Sequence, residues 1–260
     1  MSENPKNVTV DSAVSAPARR ALVTGASTGI GAATVRLLRS HGWEVVATAR
    51  RVERLEALAA ETGCTWVAAD LQEPDDVERL ASEVLAEGPV DAVVNNAGGA
   101  IGLESIAESS LDDWDRMYEI NVAGTVRVTK AFLPSLLAST DNAAGDNAGL
   151  VVNIGSVAGW TPYAGGAGYN AAKHGVRAFN RVLRLENPGT LRVTEIDPGR
   201  VATEEFSLNR FRGDAEKAAE VYADKLNLSA EDIAEAVRWV AALPAHMNID
   251  TMQITPRDQV

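Results

Sequence analysis

The run Thr24-Gly25-Ala26-Ser27-Thr28-Gly29-Ile30-Gly31 separates two stretches of different character. Ahead of it stands Ala21-Leu22-Val23, short and apolar. Behind it Ala32, Ala33, Val35, Leu37 and Leu38 recur at helical spacing. A buried strand, a glycine turn and an amphipathic helix in immediate succession are the opening of a βαβ unit. Glycines in such a turn let the backbone approach a pyrophosphate, and the helix N-terminus offers free N–H groups and the positive end of a dipole. The spacing is Gly-x-x-x-Gly-x-Gly, not the commoner dinucleotide fingerprint. A glycine-rich turn without a ligand is the plainer alternative.

The rest of the chain repeats the alternation. Strand-like runs fall at residues 45–48, 65–69, 90–95, 150–154 and 191–196, with a weak last one at 252–254. Helical patterns lie between them, including 75–87 behind Pro74, 111–138 and 169–185. Ser229 and Asp232 form a capping pair for a helix that runs to Leu243, before Pro244. The expected fold is α/β: a Rossmann-like, doubly wound parallel sheet of about seven strands with helices on both faces. A chain of 260 residues suits one such domain. Its bounds are read as 19–260, after a flexible tail at 1–18. Residues 139–149, rich in Asn, Asp, Ala and Gly, read as an exposed loop. Residues 200–228 form a long polar segment between the sixth strand and the following helix.

Tyr169 and Lys173 stand four apart on a predicted helix and so share a face. A phenol beside an ammonium is an acid/base device, because the cation favours the phenolate. Lowering a tyrosine from about 10 to about 7 takes roughly 4 kcal/mol. One charge at about 4 Å supplies about that much at an effective dielectric near 20. Ser156 lies thirteen residues upstream of Tyr169. An ordinary surface Tyr/Lys pair is the alternative.

Composition narrows the function. The net charge is −12 and no basic stripe matches a phosphate backbone, so no nucleic-acid partner is expected. Cys64 is the single cysteine, which excludes an internal disulfide and reads as a small buried thiol. His41, His174 and His246 lack ligand spacing, so no metal is expected. No apolar run reaches membrane-spanning length. The first 18 residues lack the basic start and apolar centre of a signal peptide. A cytoplasmic protein is expected.

With these motifs assembled, the chain resembles the short-chain dehydrogenase/reductases over roughly residues 20–256. The markers stand in family order: Thr24 to Gly31, Asp70, Asn95-Asn96-Ala97-Gly98, Asn121, Ser156, Tyr169, Lys173, and Pro198-Gly199 followed by Thr203. Ala47-Thr48-Ala49-Arg50-Arg51, Glu205-Phe206-Ser207, Arg210-Phe211-Arg212-Gly213-Asp214 and Leu243-Pro244-Ala245-His246 are similar to the NADP-dependent 3-hydroxy acid (serine) dehydrogenase branch.

The resemblance implies a catalytic set of Asn121, Ser156, Tyr169 and Lys173. Tyr169 would be the general acid in reduction and the base in oxidation. Lys173 would lower its pKa and hold the nicotinamide ribose, and Ser156 would polarise the substrate carbonyl. Asn121, a poor helix former inside a helical stretch, would mark an irregularity that completes a proton relay to Lys173; a solvated helix position is the alternative. Cofactor contacts would come from Gly25, Ser27, Thr28, Gly29, Ile30, Gly31, Arg50, Arg51, Asp70, Leu71, Asn96, Ala97, Gly98, Tyr169, Lys173, Pro198, Gly199, Val201 and Thr203. Asp70 is equally a turn former, and Asn95 is half structural. The family's NAD enzymes place an acid at the end of the second strand. Here Ala49 is followed by Arg50 and Arg51, which suit a 2′-phosphate, so NADP(H) is the expected cofactor.

The expected activity interconverts a hydroxyl and a ketone or aldehyde on a small polar substrate, such as a 3-hydroxy acid or serine-like compound. Residues 200–228 would form a lid over it, and the carboxylate of a 3-hydroxy acid would need a partner such as Arg210; the alternative is that the lid arginines pair with Glu204, Glu205 or Asp214 or face a neighbouring subunit. A carbonyl reductase for a bulkier metabolite is one alternative, with Trp160 and Tyr163 lining an apolar pocket or merely packing. A cofactor-binding sensor without chemistry is the other. A homotetramer built on the long helices after the fourth and fifth strands is implied by the resemblance alone.

Overall fold

The computed structural model describes residues 18–139 and 148–259. The expected tail at 1–18 and loop at 139–149 fall largely outside them. Strand β1 (Arg20–Thr24) is buried throughout and runs through the glycine turn into α1 (Gly29–Ser40). Then follow β2 (Glu44–Ala49), α2 (Val52–Thr62), β3 (Thr65–Ala68), α3 (Pro74–Ala86) and β4 (Ala92–Asn95). The second half holds α4 (Leu111–Tyr118), α5 (Gly124–Ala138), β5 (Gly149–Ile154), α6 (Ala167–Glu186) and β6 (Leu191–Pro198). Short helices α7 (Phe206–Arg210) and α8 (Ala215–Glu220), then α9 (Ala230–Ala241) and β7 (Thr251–Ile254), complete it.

The strands form one parallel sheet in the order β3-β2-β1-β4-β5-β6-β7. A sheet buried on both faces explains why its strands read as apolar runs rather than alternating ones. On one face Val35, Leu38, Ile233 and Val237 cover Val23, Val45 and Ile196. On the other, Val77, Leu80, Val128, Phe132 and Leu183 cover Leu22, Val93 and Val193.

Two predicted helix ends are set by local chemistry. Pro74 occupies the first turn of α3. Ser229 Oγ accepts from the Asp232 N–H, and the Asp232 carboxylate accepts from the Ser229 N–H at 2.8 Å, closing a capping box on α9. The helix expected over 111–138 is not continuous. A π turn at Glu119–Ala123 divides it into α4 and α5. Such single turns insert one residue into a helix and leave backbone groups to be satisfied otherwise.

Strand order reverses between β1 and β4, so the connections leaving their carboxyl ends run to opposite faces of the sheet and leave a crevice between them. A polar layer braces the sheet just beneath it. Asn95 Nδ2 donates to Thr129 Oγ1 and to Asn153 Oδ1, and Asn153 Nδ2 donates to Asn180 Oδ1.

Candidate active site

The crevice opens into a cleft of about 1060 Å³ along the carboxyl edge of the sheet. Ser27, Thr28, Gly29 and Ile30 line one end, with Arg50, Arg51, Asp70 and Leu71 beside them. Asn96, Ala97 and Gly98 form the floor. Ser156, Tyr163, Tyr169 and Lys173 form the far end, and Pro198, Gly199, Val201, Thr203 and Arg210 the roof.

The glycine turn fits against the β4 end with no space for side chains. Gly25 has φ +63°, and a Cβ there would lie 2.8 Å from Asn96 Nδ2 and 2.9 Å from Ala97 Cα. Gly31 does not line the cleft; a Cβ there would sit 2.4 Å from the Gly25 carbonyl oxygen. Asn96 Nδ2 donates to the Thr24 and Gly25 carbonyls, and Thr24 Oγ1 accepts from the Asn96 and Ala97 N–H groups at 3.0 Å each. Backbone N–H groups at the start of α1 are thereby held at the cleft wall, which is what a bound pyrophosphate requires.

Arg51 and Arg50 differ in their partners. Arg51 makes two bonds to the Glu205 carboxylate, at 2.5 and 2.9 Å, and one to Ser27 Oγ. It holds the Glu205 carboxyl below the usual carboxylate range. Arg50 is 67% exposed, with only a loose 3.8 Å approach to Asp70. Its guanidinium is available to an anion in the cleft. Asp70 also behaves as a turn former, its Oδ1 accepting from the Gln72 N–H.

Tyr169 and Lys173 share one face of α6, as their spacing requires, and are both buried. Lys173 Nζ donates to the Ile154 carbonyl at 2.8 Å and lies 5.8 Å from the Tyr169 ring centre. Burial lowers Lys173 to about 8, against the opposing pull of Asp197 and Glu195. The expected lowering of Tyr169 is not the dominant effect in this structure. Burial pushes the phenol well above its ordinary value, opposed by a hydrogen bond with Ser156 and by Arg210. Desolvation of a phenolate outweighs what the neighbouring cations contribute. The phenol is therefore protonated at neutral pH, the form a general acid needs.

Ser156 sits just past β5, and its Oγ accepts from the Ala158 N–H. Asn121 is buried in the π turn. Its side chain bonds the Gly99 N–H and carbonyl and the Met117 carbonyl, while its own carbonyl accepts from Thr125 Oγ1. It lies below the cleft floor: a Cβ on Gly98 would come within 2.7 Å of Asn121 Oδ1.

Three residues were candidates for substrate. Tyr163 and Arg210 reach the cleft; Trp160 does not. The Trp160 indole N–H donates to Asp197 Oδ2, and Arg177 stacks on its ring. Arg210 donates to Tyr163 Oη at 2.6 Å and to the Gly102 carbonyl, and lies 6.0 Å from the Tyr169 ring centre. It meets no carboxylate among the described residues, whereas Arg212 pairs with Asp113 and Glu104, and Arg200 with Asp258.

Sequence reasoning missed Phe206, which packs edge-on against Tyr169, and Asp197, which accepts from the Ser156 N–H. The signal for the second was a pair of acids at the end of the expected sixth strand, Glu195 within residues 191–196 and Asp197 just past them.

Comparison with known proteins places these features in context. Residues 19–210 match the profile of the short chain dehydrogenase family. The NADP-dependent 3-hydroxy acid dehydrogenase of Salmonella typhi is 44% identical over 246 residues, 92% of this chain and 95% of its own. An uncharacterized oxidoreductase of Mycobacterium tuberculosis is 48% identical over 242 residues, 93% of this chain and 92% of its own. Among solved structures, the closed form of serine dehydrogenase complexed with NADP+ superimposes with a TM-score of 0.87 at 41% identity, covering 93% of this chain and 96% of its own.

Proposed function

This chain belongs to the short chain dehydrogenase family, and from that premise we propose that it is an NADP(H)-dependent oxidoreductase of small 3-hydroxy acids or serine-like compounds. The relatives named for NADP support the cofactor. So do the residues themselves. The Gly25 turn is a cradle that a Cβ would fill, Arg50 is a largely exposed guanidinium only loosely approached by Asp70, and Ala49 stands where an acid would repel a 2′-phosphate. Gly25, Ser27, Thr28, Gly29 and Ile30 would hold the pyrophosphate, with Gly31 as the close packing behind it. Arg50 and Arg51 would hold the 2′-phosphate, and Asp70 and Leu71 the adenine. Asn96, Ala97, Gly98, Pro198, Gly199, Val201 and Thr203 would wall the remainder.

The bound cofactor supplies or takes up hydride. The chain's own residues do the rest. In reduction, Ser156 Oγ and Tyr169 Oη converge on one carbonyl oxygen. Ser156 donates a hydrogen bond to it, and Tyr169 delivers its proton. Lys173 holds the ribose and the positive charge that steadies the phenolate left behind. Asn121 keeps the π turn open beneath Gly98, giving Lys173 a route for proton exchange.

The single observation that carries the acid substrate is Arg210: a guanidinium at the cleft wall, over the Tyr169 ring, without a carboxylate partner among the described residues. An arginine so placed pairs with a substrate carboxylate. The exposed apolar side chains Leu111, Tyr118, Val182 and Leu185, on α4 and α6, are suited to burial in a homotetramer, and a cytoplasmic setting completes the reading.

The kinetic test compares a 3-hydroxy acid with its neutral ester. Tyr169→Phe should retain NADPH binding by fluorescence titration and lose turnover by about a hundredfold or more. A mutant within tenfold of the native rate overturns the reaction assignment. Arg210→Ala should cost the acid about tenfold to a hundredfold in kcat/KM and spare the ester. Equal losses, or a native preference for the ester, point to a bulkier carbonyl substrate instead.

A further inference from the structure

Behind Ser156 lie two carboxyl groups that the reaction above does not use. Glu195 and Asp197 are two apart on β6 and so project from the same face of the sheet. They are 1% and 0% exposed. Asp197 is fully engaged: Oδ1 accepts from the Ser156 N–H at 2.9 Å, and Oδ2 from the Trp160 indole at 2.5 Å. Beyond the end of β5, its carboxylate thus takes the place of a strand carbonyl. It fastens both ends of the segment that carries Ser156. Among the described residues, neither oxygen of Glu195 has a donor. A Cβ on Gly155 would stand 2.0 Å from Asp197 Oδ1 and 2.8 Å from Glu195 Oε1, so both groups crowd the same glycine.

Two buried carboxylates at such range do not both ionise. Burial without donors assigns the proton to Glu195, and the hydrogen bond it then makes runs to Asp197. We propose that Glu195 and Asp197 share one proton as a buried carboxyl pair, whose single negative charge fixes the Ser156–Trp160 segment and keeps Lys173 cationic. These are positioning residues, and their role rests on the assignment of Ser156, Tyr169 and Lys173 given above.

The charged neighbours of the pair come from α6. Lys173 and Arg177 favour its negative charge, and Tyr169 faces the same charge. Strand β5 contributes Asn153, paired in register with Glu195, and no titratable group. Strand β7 (Thr251–Ile254) contributes none. Helix α9 packs through Ile233 and Val237 with Ile196, on the opposite face.

The pair makes stability depend on pH in a definite direction. Above the ordinary carboxylate range the unfolded chain has lost the Glu195 proton and the folded chain retains it. The folded state therefore binds more protons, and stability falls as pH rises from about 4.5 toward the raised value of Glu195. Glu195→Gln keeps a donor to Asp197 and removes that slope.

Infrared spectroscopy of the native protein reads the pair without any turnover. Ordinary carboxyl groups are ionised at pH 7, so a protonated-carboxyl stretch at that pH reports a protected proton. The band should be present at pH 7, vanish on titration to alkaline pH, and be missing from Glu195→Gln. Its absence from the native protein overturns the proposal, whether or not any variant folds. In kinetics, Glu195→Gln should lie within tenfold of native at pH 7 with a displaced alkaline limb, and Glu195→Ala should fall tenfold further. Asp197→Asn should lower kcat by a hundredfold while the NADPH dissociation constant moves less than threefold. Identical behaviour of the Gln and Ala variants, or an unshifted pH profile in both, also overturns it. Because the infrared band depends on no substrate, a wrong substrate assignment leaves it in place.

Discussion

The two long walls of the cleft are built from different materials. The wall at the ends of β1 and β4 is backbone against backbone. Gly31 packs on the Gly25 carbonyl, Asn96 bonds two carbonyls of the turn, and Thr24 bonds two N–H groups of the opposing strand. The opposite wall, residues 200–228, is held largely by side-chain charges, with a backbone bond from the Gly102 N–H to the Arg210 carbonyl beside them. Glu205 meets Arg51, Glu204 stands 3.8 Å from Arg54, and Arg212 meets Asp113 and Glu104. Exposed ion pairs contribute only about 0–1 kcal/mol each, whereas buried backbone groups without partners cost about 1–3 kcal/mol. The first wall cannot open without damage to the sheet. In the second, such pairs carry much of the attachment, which is what the lid proposed for residues 200–228 needs.

The largest effect that tests this contrast belongs to Gly31→Ala. The new methyl meets backbone that cannot yield, so overpacking should cost roughly 1–3 kcal/mol of stability and displace the turn. NADPH affinity should drop on the order of a hundredfold, equivalent to about 2.7 kcal/mol. Calorimetry together with fluorescence titration checks both. A protein with native melting and native affinity would show that the turn is softer than its packing implies.

The next effect belongs to Arg50→Ala. Loss of one charge-assisted bond, worth roughly 1.5–3 kcal/mol, should lower kcat/KM for NADPH about tenfold to a hundredfold and leave NADH nearly unchanged. The melting temperature should not move, since Arg50 is largely exposed. Equal losses with both cofactors refute a 2′-phosphate role.

The smallest effect is purely structural. Ser229→Ala removes the cap from α9, just beyond the lid, and should lower stability by about 1 kcal/mol in urea denaturation, with kcat/KM retained. A larger kinetic effect would mean that the cap also anchors the lid.

Local rules explain what the sequence revealed and what it concealed. The glycine turn, the strand alternation and the Tyr169/Lys173 spacing are set by neighbours a few residues away, so pattern finds them. The capping box of α9 is equally local. The π turn at Glu119–Ala123 was visible only as a misplaced Asn121, because the helix on either side keeps its apolar period. Helices α7 and α8, five and six residues long, are too short to show a period. Trp160 reads equally as a pocket or a packing residue in sequence, and its indole bonds Asp197, 37 residues further along the chain. The carboxyl pair belongs to the same class. Nothing near Glu195 in sequence says that its surroundings lack a donor.

The strand order also shapes how the chain is born. β1 pairs with β2 on one edge and with β4 on the other, through Ala21↔Ala92, Leu22↔Val93 and Val23↔Val94. During synthesis β1, β2 and β3 leave the ribosome first, and the inner edge of β1 then has no neighbour. At roughly 5–20 residues per second, several seconds pass before β4 emerges. Closing that long loop also costs about 4 kcal/mol of chain entropy before the new hydrogen bonds offset it. For that interval the apolar edge of β1 is exposed to any other chain that can add a strand. The same crevice that serves catalysis in the finished protein marks the seam most open to misassembly in the nascent one.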